Sequence, residues 1–355
     1  MMHYQKKKRP FYSNKEPIKM KRKSLLDRFL FLINSVLATA LLLSYFLPFI
    51  SPKTIPALAV LSLTVPFLIG FNGLFLIYWL IRLKRQVLLS AVVLGIGWLI
   101  SSPIYQLTEK KVLLNDAIKI MSYNVRMFNH YKWSKDTSLA QKTFDFISKK
   151  KPDILALQEF YKSDEISFKF PYTYIKTKSK TNKFGLAIYS NYKIIQAGSL
   201  DFKNSANNAI FIDILKENDT IRVYNIHLES LKINPNKDNF GENSSEKLFG
   251  RLKNTFQKQA VQTELFLKHE QQWKGKKIIC GDFNNTAFSW AYHKINQNKK
   301  DAFVEAGKGF GKTFKHPFPL RIDFILTDNS IEINNFKTFE VPYSDHYPIL
   351  AQVRW

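Results

Sequence analysis

Residues 277–284 have the sequence KIICGDFN, in which an apolar run is followed directly by two polar residues. The run Lys277–Cys280 has the length and the β-branched residues that are typical of a buried strand. Asp282 and Asn284 come immediately after it, and loops at strand ends are where α/β proteins build their sites. This stretch therefore predicts a strand that carries chemically active side chains at its end.

The same arrangement recurs along the chain from about Ala117 onward. Polar residues end or flank other predicted strands: Asn124 in IKIMSYN, Glu159 in PDILALQE, His227 in IRVYNIH, Asp323 in RIDFIL, and Asp345 and His346 in YSDHYP. Short apolar runs predict strands over Ile118–Tyr123, Ile154–Gln158, Leu186–Tyr189, Ala209–Leu215, Ile221–Ile226, Ile322–Leu326 and Ile349–Val353. Helices are predicted over Thr137–Lys150, Ser245–Gln271 and Asn285–Asn296. Roughly 240 residues of mixed strands and helices can bury a sizeable core, so we expect an α/β domain.

Taken singly, each polar residue has a simpler interpretation. Asp282 could be a turn residue and His227 a hydrogen-bonded core histidine. The ordered set is harder to dismiss, and its hard oxygen donors suit Mg²⁺ or Mn²⁺. The single cysteine, Cys280, excludes a disulfide framework and a zinc site built mainly from Cys. A hydrophobic content of 45% excludes the disordered and collagen-like classes.

The motifs MSYN, LQE, GDFN and SDHYP, in this order, resemble those of the endonuclease/exonuclease/phosphatase superfamily. That group includes deoxyribonuclease I, abasic-site endonucleases, neutral sphingomyelinases and inositol-polyphosphate 5-phosphatases. The resemblance covers the chain from about Ala117 to Trp355. It implies a four-layer α/β sandwich, in which two mixed β-sheets are packed together and flanked by helices.

The resemblance also implies a metal site. Glu159 would bind Mg²⁺ or Mn²⁺, with Asn124 beside it, and Asp345 would assist the metal or the water. Arg126 departs from the pattern of abasic-site endonucleases, which tend to have an acidic residue two positions after the Asn. That subclass is therefore disfavoured.

The remaining motif residues are implied to act on the water and the phosphate. Asp282 would orient or deprotonate the attacking water, and Asn284 would hold the phosphate or the water. His346 would bind a phosphate oxygen, with Asp323 orienting its imidazole, while His227 would contact the scissile phosphate. In-line attack on a phosphoester needs such a carboxylate, together with cationic groups around the developing charge.

Three long uncharged runs precede this domain: Phe29–Ile50, Ile55–Ile81 and Gln86–Leu107. A membrane-spanning helix needs about 20 apolar residues, so three transmembrane helices are predicted. The alternatives are a buried helical hairpin of a soluble domain and a cleaved signal peptide, which fits poorly because more spans follow the first. The predicted organisation is a basic cytoplasmic tail (1–28), a three-helix transmembrane region (29–107) and a catalytic domain (108–355).

Basic residues predict the orientation of these helices. Residues 1–28 contain ten Lys and Arg residues, and the second loop has Arg82, Lys84 and Arg85, whereas the first loop has only Lys53. Positive charge stays in the cytoplasm, so the catalytic domain is expected on the extracytoplasmic side. The spans resemble those of membrane-tethered bacterial members, which implies the bacterial inner membrane. The tail could instead be a nucleic-acid-binding arm.

Two other stretches have alternative interpretations. Residues 306–313 (AGKGFGKT) loosely resemble a phosphate-binding loop, but Pro317 and Pro319 oppose the helix that such a loop requires, so a glycine-rich surface loop is predicted. Residues 234–245 form a polar loop that is long enough to be functional. A group of four lysines could contact phosphates or form a solvated loop: Lys176, Lys178, Lys180 and Lys183.

The sequence thus predicts a membrane-anchored, metal-dependent phosphoester hydrolase. The net charge of +25 overall, with +13 counted over residues 106–355, suits a polyanionic substrate and favours a nuclease. The alternatives are a lipid or inositol-phosphate phosphodiesterase or phosphatase, whose substrate would lie near the tether, and a non-catalytic binding module. The expected partners are a nucleic acid or phospholipid headgroup and the membrane; no protein partner is predicted.

Overall fold

The computed structural model of the chain describes residues 25–110, 112, 116–163, 168–179, 181–232 and 242–355. Most of the predicted basic tail (1–28) lies outside the described residues, as do Lys180 and residues 234–241 of the predicted polar loop. The domain boundaries predicted after residues 28 and 107 stay predictions.

Twelve strands form two six-stranded sheets within the described residues. The first sheet contains, in spatial order, β11 (Glu332–Thr338), β12 (Ile349–Arg354), β1 (Ile118–Asn124), β2 (Ile154–Tyr161), β4 (Phe184–Ser190) and β3 (Tyr172–Thr177). The second contains β5 (Lys193–Ser199), β6 (Ala209–Lys216), β7 (Asp219–His227), β8 (Lys277–Asp282), β10 (Asp323–Asp328) and β9 (Lys299–Asp301). Each sheet is mixed, because β1 and β2 run parallel, as do β7 and β8, while the remaining neighbours are antiparallel.

The facing sides of the two sheets bury an aliphatic core. Ile120 and Ile154 of the first sheet belong to one cluster with Ile212, Val223 and Ile278 of the second, and none of them is exposed. Successive residues of a strand point to opposite faces, so the outer faces are apolar as well and need a cover.

Helices cover both outer faces. On the first sheet, α5 (Leu139–Lys150) packs Ile147 in one cluster with Leu155. On the second, α6 (Glu242–Glu270) packs Phe266 against Tyr224 with ring centroids 5.0 Å apart. A short helix, α7 (Trp290–Ile295), joins the same cluster. The expected fold, two mixed sheets flanked by helices, is confirmed.

A buried polar bridge connects the two sheets between β2 and β7. Gln158 Nε2 donates to Asn225 Oδ1 at 2.7 Å. Asn225 Nδ2 in turn donates to the carbonyl oxygens of Leu157 at 2.8 Å and Ala187 at 3.0 Å. Buried amides rarely lack such partners, and here the partners lie on the opposite sheet.

The N-terminal helices form a bundle. It contains α1 (Leu25–Ser44), α2 (Pro56–Leu61), α3 (Val65–Ile81) and α4 (Val87–Ile100). Two helical stretches, Leu25–Phe49 and Pro56–Ile81, are long and apolar enough to cross a membrane by length and composition.

The third predicted span is not confirmed. Helix α4 has 14 residues, about 21 Å at the rise of an α-helix, which is less than the ~30 Å hydrocarbon core. The helix stops because Ser101 is extended and the following residues bind the α/β domain instead. Arg321 Nη2 donates to Ser102 Oγ at 3.0 Å, and Gln106 pairs with Gly309 in a β-bridge. The prediction of three spanning helices is therefore wrong: two helices of the described residues are long enough to span a membrane.

Polar contacts hold the bundle together. Asp27 and Arg82 form an ion pair of 3.3 Å at one end. Further along the bundle, Asn34 Nδ2 donates to Ser90 Oγ at 2.8 Å, and Ser90 Oγ donates to Asn72 Oδ1 at 3.4 Å. These buried bonds join α1, α3 and α4, as polar side chains do between helices in a membrane.

The end of the bundle opposite the Asp27–Arg82 pair packs on the α/β domain. Ala59 of α2 lies in one apolar cluster with Leu252 and Phe256 of α6. The ring of Phe49 packs on His293 of α7 with centroids 4.6 Å apart. The bundle and the α/β domain therefore share an apolar interface.

Candidate active site

The strand registers bring polar residues together at one end of the sandwich. In the second sheet Asp282 lies between His227 of β7 and Asp323 of β10. In the first sheet Asn124 ends β1 opposite Gln158 of β2. Because the carboxyl ends of the parallel strands point the same way in both sheets, these residues meet at a common edge.

Asp282 is fully buried and lies at the centre of this group. Its Oδ2 accepts a hydrogen bond from Asn124 Nδ2 at 3.0 Å, and its Oδ1 accepts one from the backbone N–H of Asn284 at 2.7 Å. Two imidazoles face the same carboxylate: His227 Nε2 lies 3.6 Å and His346 Nε2 lies 3.7 Å from Oδ2.

A second carboxylate and a serine orient His346. Its Nδ1 lies 3.0 Å from Asp323 Oδ2, so Nδ1 is the donor and Nε2 points at Asp282. Ser344 Oγ accepts from the backbone N–H of His346 at 3.3 Å and donates to the carbonyl oxygen of Asn124 at 2.8 Å. The ring of Phe314 packs on the imidazole with centroids 5.1 Å apart.

Burial and neighbouring charges shift the titration of the group. Burial raises the pKa of Asp282 to about 6, although His346 and His227 favour its charged form. Burial alone would lower the pKa of His346, but Asp323 and Asp282 outweigh it and raise that pKa to about 10. The pKa of His227 is lowered, chiefly by burial. At neutral pH the group therefore holds an imidazolium at His346 and a neutral imidazole at His227.

Glu159 lies beside this group at a kink in β2. The register of β2 shifts between Leu157 and Phe160, and Glu159 has a φ of 48°. Loss of hydration raises the pKa of Glu159; His346 opposes the rise and the nearby carboxylate of Asp345 adds to it. The kink thus places the Glu159 carboxylate near Asp345, the acidic residue of the SDH motif.

The donors around Glu159 fit a hard divalent cation. The carboxylates of Glu159 and Asp345 repel each other, which raises the pKa of Glu159, whereas the neighbouring Asn124 amide lowers it. Arg126 Nη1 lies 3.1 Å from Asp345 Oδ2 and balances part of that charge. Two carboxylates beside an amide form an oxygen donor set of the kind that Mg²⁺ and Mn²⁺ prefer.

A second group could also hold a metal by geometry alone. Possible ligand atoms of Asp282, Asp323 and His346 lie within 4.8 Å of one another. In this group His346 Nδ1 is bonded to Asp323, and its Nε2 faces Asp282 Oδ2 at 3.7 Å. The assignment of Glu159 and Asp345 as the cation ligands stays a prediction.

Every residue predicted for the site lies in this one cluster: Asn124, Glu159, His227, Asp282, Asn284, Asp323, Asp345 and His346. The side chain of Asn284 is already engaged, since its Nδ2 donates to the carbonyl oxygen of Leu228 at 3.0 Å. The role assigned to each of these residues stays a prediction.

Three residues of the site were not predicted. Arg126, seen in the sequence only as a departure from one subclass, pairs with Asp345 and lies 4.6 Å over the ring of Trp133. Ser344 stands within the SDH motif and could have been inferred from it. No sequence pattern indicated Asn207, whose Nδ2 donates to the Leu228 carbonyl oxygen at 2.6 Å.

A cavity of about 310 Å³ opens beside His227. Its walls include Lys176, Lys178, Phe202 and Asn207. Lys176 forms an ion pair with Asp201 at 3.1 Å, and a third of its side chain stays exposed. Two of the four predicted phosphate-contacting lysines thus line a cavity at the site. Of the others, Lys183 is not among the lining residues and Lys180 lies outside the described residues.

Residues 306–313 form no phosphate-binding loop. They follow the short helix α8 (Ala302–Ala306), and the next residue, Phe314, pairs with Leu320 and His346 in β-bridges instead of starting a helix. The prediction of a glycine-rich loop at this position is confirmed.

Comparison with known proteins supports this description. Residues 121–346 match the family described as "Endonuclease/Exonuclease/phosphatase family", and residues 27–104 match one described as "Domain of unknown function (DUF8431)". No curated protein matches the sequence.

Three similar solved structures share the fold. D. rerio TDP2 complexed with single strand DNA product has 14% identity and a TM-score of 0.51, covering 68% of this chain and 100% of that one. The human Nocturnin catalytic domain with bound sulfate anion has 15% identity and a TM-score of 0.50, covering 70% and 96%. An endonuclease/exonuclease/phosphatase from Bacteroides vulgatus has 18% identity and a TM-score of 0.50, covering 68% and 99%.

The family match covers well over half of the chain and includes every residue of the cluster built around Asp282. The sequence motifs, the two mixed sheets and the match agree. The chain therefore belongs to the endonuclease/exonuclease/phosphatase family.

Proposed function

We propose that the chain is a divalent-metal-dependent phosphoester hydrolase that its N-terminal helices hold at a membrane. The observation that carries this proposal is the buried Asp282 carboxylate, which lies 3.7 Å from His346 Nε2, an imidazole whose pKa Asp323 and Asp282 raise. A base and a cation on one side of a cleft match the needs of water attack on a phosphoester.

Asp282, His346 and Asp323 have different roles in the proposed reaction. Asp282 accepts a proton from the attacking water, and the hydrogen bonds from Asn124 and from the backbone of Asn284 hold its carboxylate in position. His346 donates from Nε2 to a phosphate oxygen as negative charge develops there. Asp323 is a positioning residue that fixes the tautomer and the charge of His346.

His227 and the acidic pair complete the site. The buried His227 Nε2 has no hydrogen-bond partner among the described residues, so it is available to the scissile phosphate. Mg²⁺ or Mn²⁺ held by Glu159 and Asp345 would polarise the phosphoester and lower the barrier to in-line attack.

The first experiment is a substrate screen with the full-length protein in detergent and Mg²⁺. Single-stranded DNA, RNA, sphingomyelin and inositol phosphates are offered separately, and released phosphate or headgroup is measured. Hydrolysis of at least one phosphoester is expected. No hydrolysis of any of them, with binding retained, would favour a non-catalytic binding module instead.

The cavity beside His227 supports a second contact with an anionic substrate. We expect Lys176→Ala to raise the KM about 5- to 10-fold with little change in kcat, because a charge-assisted hydrogen bond is lost at a distance from the reacting atoms. The measurement is a Michaelis–Menten comparison on the best substrate of the screen.

Lys276→Ala is the matched control for this variant. Lys276 pairs with Asp219 at 2.7 Å with similar exposure, but at the start of β8, the opposite end of the sandwich from the site. Equal KM values for the two variants would contradict the role given to the cavity.

The charge distribution supports an extracytoplasmic catalytic domain. Arg82, Lys84 and Arg85 lie at the end of the bundle that is far from the α/β domain, next to the Asp27–Arg82 pair. By the positive-inside rule this end faces the cytoplasm. Helix α4 is shorter than a full span, but it begins at this end, and Ser102, just after it, contacts Arg321 of the α/β domain, so the chain passes along the bundle a third time. The orientation is that expected for a bacterial inner membrane protein with an extracytoplasmic domain.

A reporter fused after Trp355 tests the orientation. A reporter that is active only in the cytoplasm should be silent, whereas one that is active only outside should give a signal. The opposite pattern would overturn the proposed topology.

A further inference from the structure

We infer that the active-site cleft opens at the membrane surface and that its substrate is the phosphoester headgroup of a membrane lipid. This inference rests on the proposed function and adds the substrate class to it. Contacts between the bundle and three elements next to the site carry it.

The first element is the N-terminal half of α6. This helix connects the end of β7 to the start of β8, so its N-terminal half lies at the active-site end. Gln259, just past the middle of the helix, already lies beside the site: its Nε2 donates to the Glu229 carbonyl oxygen at 2.7 Å, and its Oε1 accepts from Asn285 Nδ2 at 2.8 Å. Phe256, one turn earlier, packs in the same cluster as Ala59 of the bundle. The bundle thus meets the domain at the end that carries the site.

The second element is the loop that follows Asp282 and Asn284. Phe288 in this loop is buried in an apolar cluster of the bundle that contains Leu41 and Val65. Only three residues therefore separate a site residue, Asn284, from a side chain that packs among the N-terminal helices.

The third element is the segment from Phe314 to Arg321. Phe314 packs on His346, and Phe318 packs on Phe67 of α3 with ring centroids 4.3 Å apart. One short segment therefore contacts both the catalytic imidazole and a candidate membrane span.

The depth of this contact follows from helix geometry. Phe67 precedes Ile81 by 14 residues of one helical stretch, or about 21 Å. With Arg82 at the cytoplasmic boundary, a hydrocarbon core of ~30 Å extends ~9 Å beyond Phe67. The loops beside the site would then reach the outer leaflet, and the cleft would open at the level of the headgroups.

The exposed side chains beside these loops are of the types found at the level of the lipid headgroups. Phe310 is 48% exposed and packs edge-on against Tyr105, which is 40% exposed. Lys308 is exposed, and Lys312 Nζ lies 5.7 Å from the ring of Tyr347, the neighbour of His346. Aromatic rings with nearby lysines are typical of the membrane–water interface above an anionic leaflet.

A competition between substrates tests the inference. The full-length protein is reconstituted in phosphatidylcholine vesicles that contain sphingomyelin and a phosphatidylinositol phosphate. A single-stranded DNA oligonucleotide and the small ester bis(4-nitrophenyl) phosphate are supplied in solution. We expect a lipid phosphoester to be hydrolysed at least about 10-fold faster than the oligonucleotide, because tethering raises its effective concentration at the site.

The small ester separates two kinds of failure. If it is hydrolysed while the oligonucleotide outcompetes every lipid, the lipid inference is overturned and the proposed function stands. If none of the compounds is hydrolysed, including the small ester, the proposed function fails and the inference fails with it.

A label at residue 310 tests the depth independently of activity. The chain's own Cys280 is fully buried and burial raises its pKa, so it does not compete for a thiol-reactive dye. Phe310→Cys labelled with a polarity-sensitive dye should shift to shorter emission wavelength in vesicles and be quenched by brominated lipids. Tyr172→Cys, at the far end of the sandwich, should report water. Equal, water-like emission from both would overturn the inference.

A substitution at Phe310 tests whether contact with the lipid leaflet affects the rate of lipid hydrolysis. Phe310→Ser should lower hydrolysis of the vesicle lipid about fivefold, since an apolar contact with the leaflet is lost, and should leave hydrolysis of the small ester unchanged. Tyr172→Ser is the control and should change neither rate. An unchanged lipid rate in Phe310→Ser would contradict the inference.

Discussion

Substituting Asp282 with Asn is expected to lower turnover of the phosphoester by about 10²-fold or more. The amide keeps the shape of the side chain but cannot accept the proton of the attacking water, and loss of a general base costs this much. Initial rates at saturating substrate, with thermal melts to verify folding, provide the measurement.

The matched control is Asp328→Asn. Asp328 ends β10 at the opposite end from Asp323, and its Oδ2 accepts from the backbone N–H of Lys277 at 2.9 Å. This control should retain near-normal turnover. A folded Asp282→Asn enzyme with the same turnover as the control would refute the assignment of the base.

His346→Ala belongs to the same prediction and should be equally severe. Removing the imidazolium takes away the donor that meets charge developing on the phosphate, a loss of about 10²–10³ in turnover for comparable donors. His269→Ala, which removes a histidine that contacts Tyr224 away from the site, is the control. If His346→Ala and His269→Ala both fold and have the same turnover rate, His346 has no role in catalysis and other residues must supply the donor.

Chelation of divalent metal is expected to abolish hydrolysis, and added Mg²⁺ or Mn²⁺ should restore it. Glu159→Gln should raise the metal concentration for half-maximal activity at least about 10-fold, because it removes a charged oxygen ligand. Metal binding can be followed without catalysis, since a cation that binds only the folded state raises the thermal midpoint. Mn²⁺ should raise it in the wild type, and much less in Glu159→Gln.

Glu332→Gln provides the control for that substitution. Glu332 is an exposed acid paired with Arg354 at 2.9 Å, remote from the cleft. Its metal requirement should equal that of the wild type. Full activity in excess chelator, or equal metal responses of Glu159→Gln and Glu332→Gln, would contradict the proposed metal ligands.

The central strands could be predicted from the sequence because both of their faces are buried. Runs such as Ile154–Gln158 and Ala209–Leu215 contain one polar residue each, a pattern that tertiary contacts seldom override. The edge strands β3 and β5 were missed because they are largely exposed and carry polar residues between their apolar ones. Such strands depend on pairing with a neighbour that the sequence does not identify.

The helix predicted over Asn285–Asn296 shows a different limit. The structure has only α7, which begins after Ser289, whose Oγ accepts from the backbone N–H of Tyr292 at 3.2 Å. Residues 285–288 instead form the loop that reaches the bundle. A local helical pattern gave way there to the burial of Phe288 on another part of the chain.

The site residues could be predicted because each one sits at a strand end within a short motif. What the sequence did not indicate is how distant segments complement one another. Arg126 contacts Asp345 and Phe318 contacts Phe67, although the two members of each pair are more than 200 positions apart in the sequence. The prediction of a third span was wrong for the same reason. Residues after Ile100 contact the α/β domain instead of extending the helix.

The Gln158–Asn225 bridge has a consequence for how the catalytic geometry is maintained. Asn124 and Glu159 belong to the first sheet and His346 lies just before its strand β12, whereas His227, Asp282 and Asp323 belong to the second sheet. Sliding of one sheet over the other would therefore pull the reacting groups apart. Aliphatic surfaces resist such shear weakly, because dispersion contacts have no direction. The bridge lies one residue before Glu159 and two before His227, and a slip of one residue, about 3.3 Å, would leave two buried amides unpaired at a cost of roughly 1–3 kcal/mol each. The Gln158–Asn225 hydrogen bond thus fixes the alignment of the two sheets and keeps Asp282 within reach of His346.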